Sequence, residues 1–127
     1  MKRIMDIKKK IIRHKKQSIH YLENAFHFIK QEDAEKASEF LWGAMTQALK
    51  AVAMSKDKLL KRHDDIKKYA LEFRKSGDED IYYAFNIAQS LHSNFYETGL
   101  SLEDVIIGAD EIKKAIAKLL SHIPEEN

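Results

Sequence analysis

The sequence contains no cysteine, only one proline and only four glycines among its 127 residues. Without cysteine, the chain forms no disulfide, offers no thiolate to a metal and has no cysteine nucleophile. So little proline and glycine excludes collagen, low-complexity linkers and turn-rich β folds. Because the glycines at positions 43, 77, 99 and 108 lie far apart, the glycine-rich phosphate-binding loops of nucleotide-binding proteins are excluded as well.

Long hydrophobic runs are also missing. No apolar stretch approaches the roughly 20 residues that a membrane-spanning helix needs. The N-terminus is charged from Lys2 onward and lacks the apolar core of a signal peptide. We therefore expect a cytoplasmic protein without a membrane partner.

Charged residues are abundant and unevenly distributed. They make up 33% of the chain, against about 25% in an average domain. Residues 1–16 contain eight Lys and Arg against one Asp, whereas the remainder is net acidic. We predict a basic N-terminal arm or helix start over residues 1–16 and a single helical-bundle domain over residues 17–127. A basic segment on an acidic body favours a polyanionic partner, and the alternative is that these lysines are merely solvated.

Apolar residues recur at spacings of three and four, which predicts helices and no strands. The predicted helices cover approximately residues 4–30, 33–54, 64–75, 79–97 and 102–123, with a short helix around Leu59 and Leu60. Asp33 and Ser101 are suited to cap helices, and Gly77 to end one. The fold class is therefore all-α, an antiparallel bundle of four or five helices with short connections. Trp42 is expected to pack partly in the core.

Metal chemistry has little support in the sequence. Six histidines lie along the chain: His14, His20, His27, His63, His92 and His122. None belongs to a His-Glu-x-x-His motif or to the paired Glu-x-x-His motifs of di-metal bundles. We therefore expect neither a metal nor a cofactor.

Two polar clusters lie at predicted helix ends. In residues 61–65, Asp64 is suited to cap the third helix, and His63 to bind a carbonyl or carboxylate. In residues 91–97, His92 and the side chains after it gather several proton donors and acceptors on one turn. The structural alternatives are a simple cap and a buried polar network that fixes helix register. The candidate residues for binding a ligand or partner are His63, Asp64, His92, Asn94, Tyr96 and Glu97.

Two strings in the sequence resemble a known family. AEKASEFLWGA with the following QALKAVA, over residues 34–44 and 47–53, and LHSNFYE, over residues 91–97, resemble helices of the archaeal PaREP family of small helical proteins. The similarity extends over about residues 20–122. It implies an all-α bundle related to HEPN domains, often dimeric, and we expect a homodimer.

HEPN relatives include metal-independent ribonucleases that use an Arg followed, after four to six residues, by a His. In this sequence only Arg13 and His20 have that spacing, and they lie in the first helix rather than a late one. The resemblance therefore favours a non-catalytic binding or interaction module for a protein partner or a nucleotide-like ligand. One alternative function is RNA or DNA binding by the basic segment. The enzymatic alternative is a ribonuclease. The candidate nucleic-acid contacts are Lys8, Lys9, Lys10, Arg13, Lys15 and Lys16.

Overall fold

A computed structural model of the chain describes residues 2–93 and 100–124. Over these ranges the fold consists of five helices and contains no strand, which confirms the all-α prediction. The helices are α1 (Lys2–Lys30), α2 (Ala34–Ser55), α3 (His63–Lys75), α4 (Glu79–Ser93) and α5 (Leu102–Leu120). Within the same ranges, none of the helices is both long and apolar enough to cross a membrane.

Local side-chain chemistry sets several of the helix ends. Asp33 caps α2, because its Oδ1 accepts a hydrogen bond from the Lys36 N–H at 3.1 Å. Ser101 caps α5, and its Oγ accepts from the Asp104 N–H at 3.2 Å. Gly77 follows α3 with a φ of +97°, the left-handed conformation that favours glycine after a helix. These three sequence predictions are confirmed.

Two local predictions are wrong. The N-cap of α3 is Arg62 rather than Asp64, which lies exposed in the first turn. The expected short helix around Leu59 and Leu60 is absent, because α2 ends in a tight turn. In that turn the Lys58 N–H donates to the Ala53 carbonyl at 2.8 Å, and the chain then continues without helical structure to the start of α3.

The core is built around α2, which contacts all four other helices. Its stripe of small residues is buried and leaves room for close helix approach. A close approach lies between α1 and α2, where the fully buried Ser18 donates its Oγ–H to the Ala44 carbonyl at 2.7 Å. Nearby, a Cβ added to Gly43 would lie 3.0 Å from Cδ2 of Tyr21. Larger side chains fill the centre: Leu41, Met45, Leu49, Phe85, Ile112 and Leu119.

The connection between α1 and α2 consists of residues 31–33 only. Glu32 turns the chain there with a φ of 59°, in the left-handed region. Such a short connection makes the two helices antiparallel neighbours along most of their lengths.

Candidate functional site

Three aromatic rings from three helices meet at one place on the surface. Trp42 comes from α2, His63 is the first residue of α3, and His92 lies near the end of α4. The Trp42 and His92 ring centroids are 5.2 Å apart with an interplanar angle of 10°, a stacked arrangement. The His63 ring lies 5.2 Å from the same indole at 34°. We call this group the Trp42 cluster.

The position of Trp42 follows from its place on α2. Its neighbour Leu41 is fully buried, so Trp42 lies at the edge of the buried face and is half-buried. Its inner side contacts the fully buried Phe85 of α4, with ring centroids 5.7 Å apart. The prediction that Trp42 packs partly in the core is therefore confirmed. The indole connects the core to two imidazoles that are both exposed.

His63 is positioned by the start of α3. The Oδ2 atom of Asp65 accepts hydrogen bonds from the backbone N–H groups of Arg62 at 3.0 Å and Lys61 at 3.2 Å. These bonds hold the turn before α3 and thereby fix where His63 begins the helix. They also lower the pKa of the Asp65 carboxyl below its usual value, because both donors stabilise its charged form.

The structure brings together two of the six residues predicted as a binding site. His63 and His92 meet on Trp42, and Asp64 is exposed beside His63. Asn94, Tyr96 and Glu97 lie outside the described residues. Trp42, which joins the two histidines, was missing from the predicted site. The only sequence signal for it was its place in the distinctive Trp-Gly-Ala string.

The predicted nucleic-acid contacts lie elsewhere, along α1. All six are exposed, and they belong to the same continuous helix as the residues after them. His14 on this helix faces inward, where its Nδ1 lies 2.6 Å from the Gln47 Oε1 of α2.

The Trp42 cluster offers groups suited to recognition. An indole and two imidazoles offer planar surfaces for stacking, and the imidazoles add N–H groups for hydrogen bonds. Neither His63 nor His92 hydrogen-bonds to another described residue, so no described carboxylate orients either ring as a general base. Lys61 and Arg62 add exposed positive charge next to His63.

Sequence comparison places the chain in a family. A model of the archaeal PaREP1/PaREP8 family matches residues 13–116, about four fifths of the length. The chain belongs to this family. The resemblance carried by residues 34–53 and 91–97 is thereby confirmed, since both strings lie within the match.

A solved structure resembles that of this PaREP1/PaREP8 protein. It is a crystal structure of a protein from Sulfolobus solfataricus, which aligns with a TM-score of 0.75 at 19% sequence identity. The alignment covers 85% of this chain and 97% of the Sulfolobus chain. At that identity the likeness shows a shared fold. No curated protein matches the chain.

Proposed function

We propose that this PaREP1/PaREP8 protein is a non-catalytic binding module of HEPN-like architecture, and that its ligand docks on the Trp42 cluster. The observation that carries the proposal is the meeting of two exposed imidazoles on one half-buried indole. Aromatic groups with polar edges are enriched in binding sites, because they contribute contact area and hydrogen bonds together.

The chemistry around the Trp42 cluster favours a nucleotide-like ligand. A base would stack on the exposed face of an imidazole, while Lys61 and Arg62 would attract the phosphate. Both cations are exposed and come directly before His63 in the chain. A protein partner that inserts an aromatic or acidic side chain would use the same groups.

Ligand binding can be measured through Trp42, which is the only tryptophan of the chain. We expect nucleoside mono-, di- or triphosphates to change its fluorescence in a saturable way. Replacing His63 or His92 with alanine should weaken binding by about tenfold each, since each removes one wall of the cluster. His27→Ala is the matched control, because His27 is an exposed imidazole on α1.

Equal affinities in all three variants would contradict the proposed site, and so would an absence of binding across the nucleotide series. Incubating RNA with the protein and measuring its cleavage distinguishes the binding module from the ribonuclease alternative. Cleavage by the parent that is lost in His20→Ala would replace the binding proposal with a metal-independent ribonuclease.

The proposed module acts as a homodimer, and an apolar face on α4 and α5 supports this. Tyr83 of α4 is 60% exposed and Ile107 of α5 is 67% exposed. Of the described residues that line the open depression beside Tyr83, one is charged, Asp104. A nearly uncharged face can pack against the same face of a second copy without like-charge repulsion. The cationic surface of α1 would repel its own copy.

Light scattering during gel filtration tests the dimer. We expect twice the chain mass of 14.8 kDa for the parent. Ile107→Glu should give the monomer mass, because it places two like charges in the interface. Ala117→Glu adds the same charge at an exposed position of the same helix and should leave the dimer intact. A monomeric parent at high concentration would contradict the proposal.

A further inference from the structure

The N-terminal half of α1 is a helical, cationic surface. The hydrogen bond from Ser18 to Ala44 and the contact of His14 with Gln47 fix the register of α1 against α2. Continued along both helices, this antiparallel register places Ser55, the last residue of α2, beside residues 6 and 7 of α1. The first turn of α1 therefore extends past the end of α2 while remaining helical.

The cations of α1 form a row on the side away from α2. At 100° per residue, Lys9, Arg13 and Lys16 fall within an arc of about 60°, opposite the buried Ser18. His20 continues the same row one turn later. Lys8 and Lys15 lie to one side, about 110° and 130° from the middle of this row, and we call them the flanking lysines. We call Lys9, Arg13 and Lys16 the cationic row.

These charges are not neutralised by the body of the protein. Among the described residues, no carboxylate forms an ion pair with a member of the cationic row or with its flanking lysines. Asp6 is the single acidic residue among the first sixteen. An exposed, unpaired cationic row on a preformed helix attracts a polyanion without the entropic cost of ordering an arm.

The spacing of the charges fits a nucleic-acid backbone. Residues 2–16 extend for about 21 Å along a helix axis, and they contain eight Lys and Arg. Within the cationic row the axial steps are about 6 Å from Lys9 to Arg13 and about 4.5 Å from Arg13 to Lys16. Each step exceeds the axial 3.4 Å per phosphate along one strand of a duplex, so each member of the row can meet a different phosphate.

The residues on this half of α1 also distinguish a duplex from a single strand. The first twenty residues contain no Phe, Tyr or Trp. Proteins that hold single strands rely on aromatic side chains for base stacking, whereas phosphate contacts suffice for a duplex. We propose that the cationic row of α1 binds the phosphate backbone of duplex nucleic acid without sequence preference, as a site separate from the Trp42 cluster.

The experiment measures the affinity of the full chain for fluorescein-labelled duplexes of about 20 base pairs by anisotropy, with DNA and RNA duplexes as separate arms. Three phosphate contacts, one for each member of the cationic row, would weaken binding by about 40-fold between 50 and 200 mM salt. In the triple variant, Lys9, Arg13 and Lys16 are each replaced by glutamine. This variant should lose about three phosphate contacts, so its affinity for the duplex should depend much less on salt. Arg13→Lys should retain binding, because it keeps the charge.

The matched control replaces Lys67, Lys68 and Lys75 with glutamine, which removes the same charge from exposed positions of α3. Thermal melts followed by circular dichroism establish that both triple variants are folded. An equal loss in both variants would overturn the proposal, because net charge alone would then explain binding. Salt-independent binding, tighter binding to the single strand, or binding to anionic vesicles but to neither duplex would each overturn it as well.

Discussion

Replacing Phe85 with alanine is expected to lower the free energy of unfolding by about 3–5 kcal/mol. Phe85 is fully buried and contacts the inner side of Trp42, so its removal leaves a cavity between α2 and α4. The change is measured by urea denaturation followed by circular dichroism at one fixed protein concentration. Trp42 fluorescence should change in the folded variant as well, because the ring loses its inner neighbour.

Leu59→Ala is the control for this prediction. Leu59 is 61% exposed in the connection between α2 and α3. Its truncation should change the free energy of unfolding by less than about 0.5 kcal/mol, as expected for a surface site. A loss below about 1 kcal/mol for Phe85→Ala would contradict its placement in the core.

Replacing Ala44 with leucine is expected to lower the free energy of unfolding by about 3 kcal/mol, the upper end of the usual cost of overpacking. Ala44 is fully buried, and its carbonyl accepts the Ser18 hydroxyl. A larger side chain at this point forces α1 away from α2 and weakens that hydrogen bond. Urea denaturation measures the loss.

The matched control is Ala117→Leu, because Ala117 lies exposed on α5. The same gain in volume meets solvent there and should leave the free energy of unfolding within about 0.5 kcal/mol of the parent. If both leucine variants were equally stable, the close contact between α1 and α2 would be wrong.

The helices could be predicted from sequence because their signals are local. An apolar stripe needs only three- and four-residue spacing, and a cap needs only a few neighbouring residues. The predicted start of α2 at Asp33 and the box of Ser101 with Asp104 are both present in the structure. The pair of leucines at 59 and 60 failed as a helix signal because two apolar residues do not define a stripe.

The Trp42 cluster could be predicted only in part because its geometry is not local. His63 and His92 were singled out by their positions at helix ends, but nothing in the sequence places them on one indole. Their meeting depends on the path of the chain between α2 and α3 and on how α4 packs against α2. Both depend on tertiary packing, which a stripe on a single helix does not encode. The hydrogen bonds of Asp65 at the start of α3 were not predicted for a simpler reason, because the sequence offers Asp64 beside it as an equally suitable acceptor.

The three-residue turn between α1 and α2 has an energetic consequence. The loss of chain entropy on closing a loop grows with its length, so joining these two helices costs little. Most of the free energy released when apolar side chains such as Ala25 and Ala44 leave water is therefore retained by the helical hairpin. The longest helix of the protein is in this way anchored by the neighbour that follows it directly in the chain.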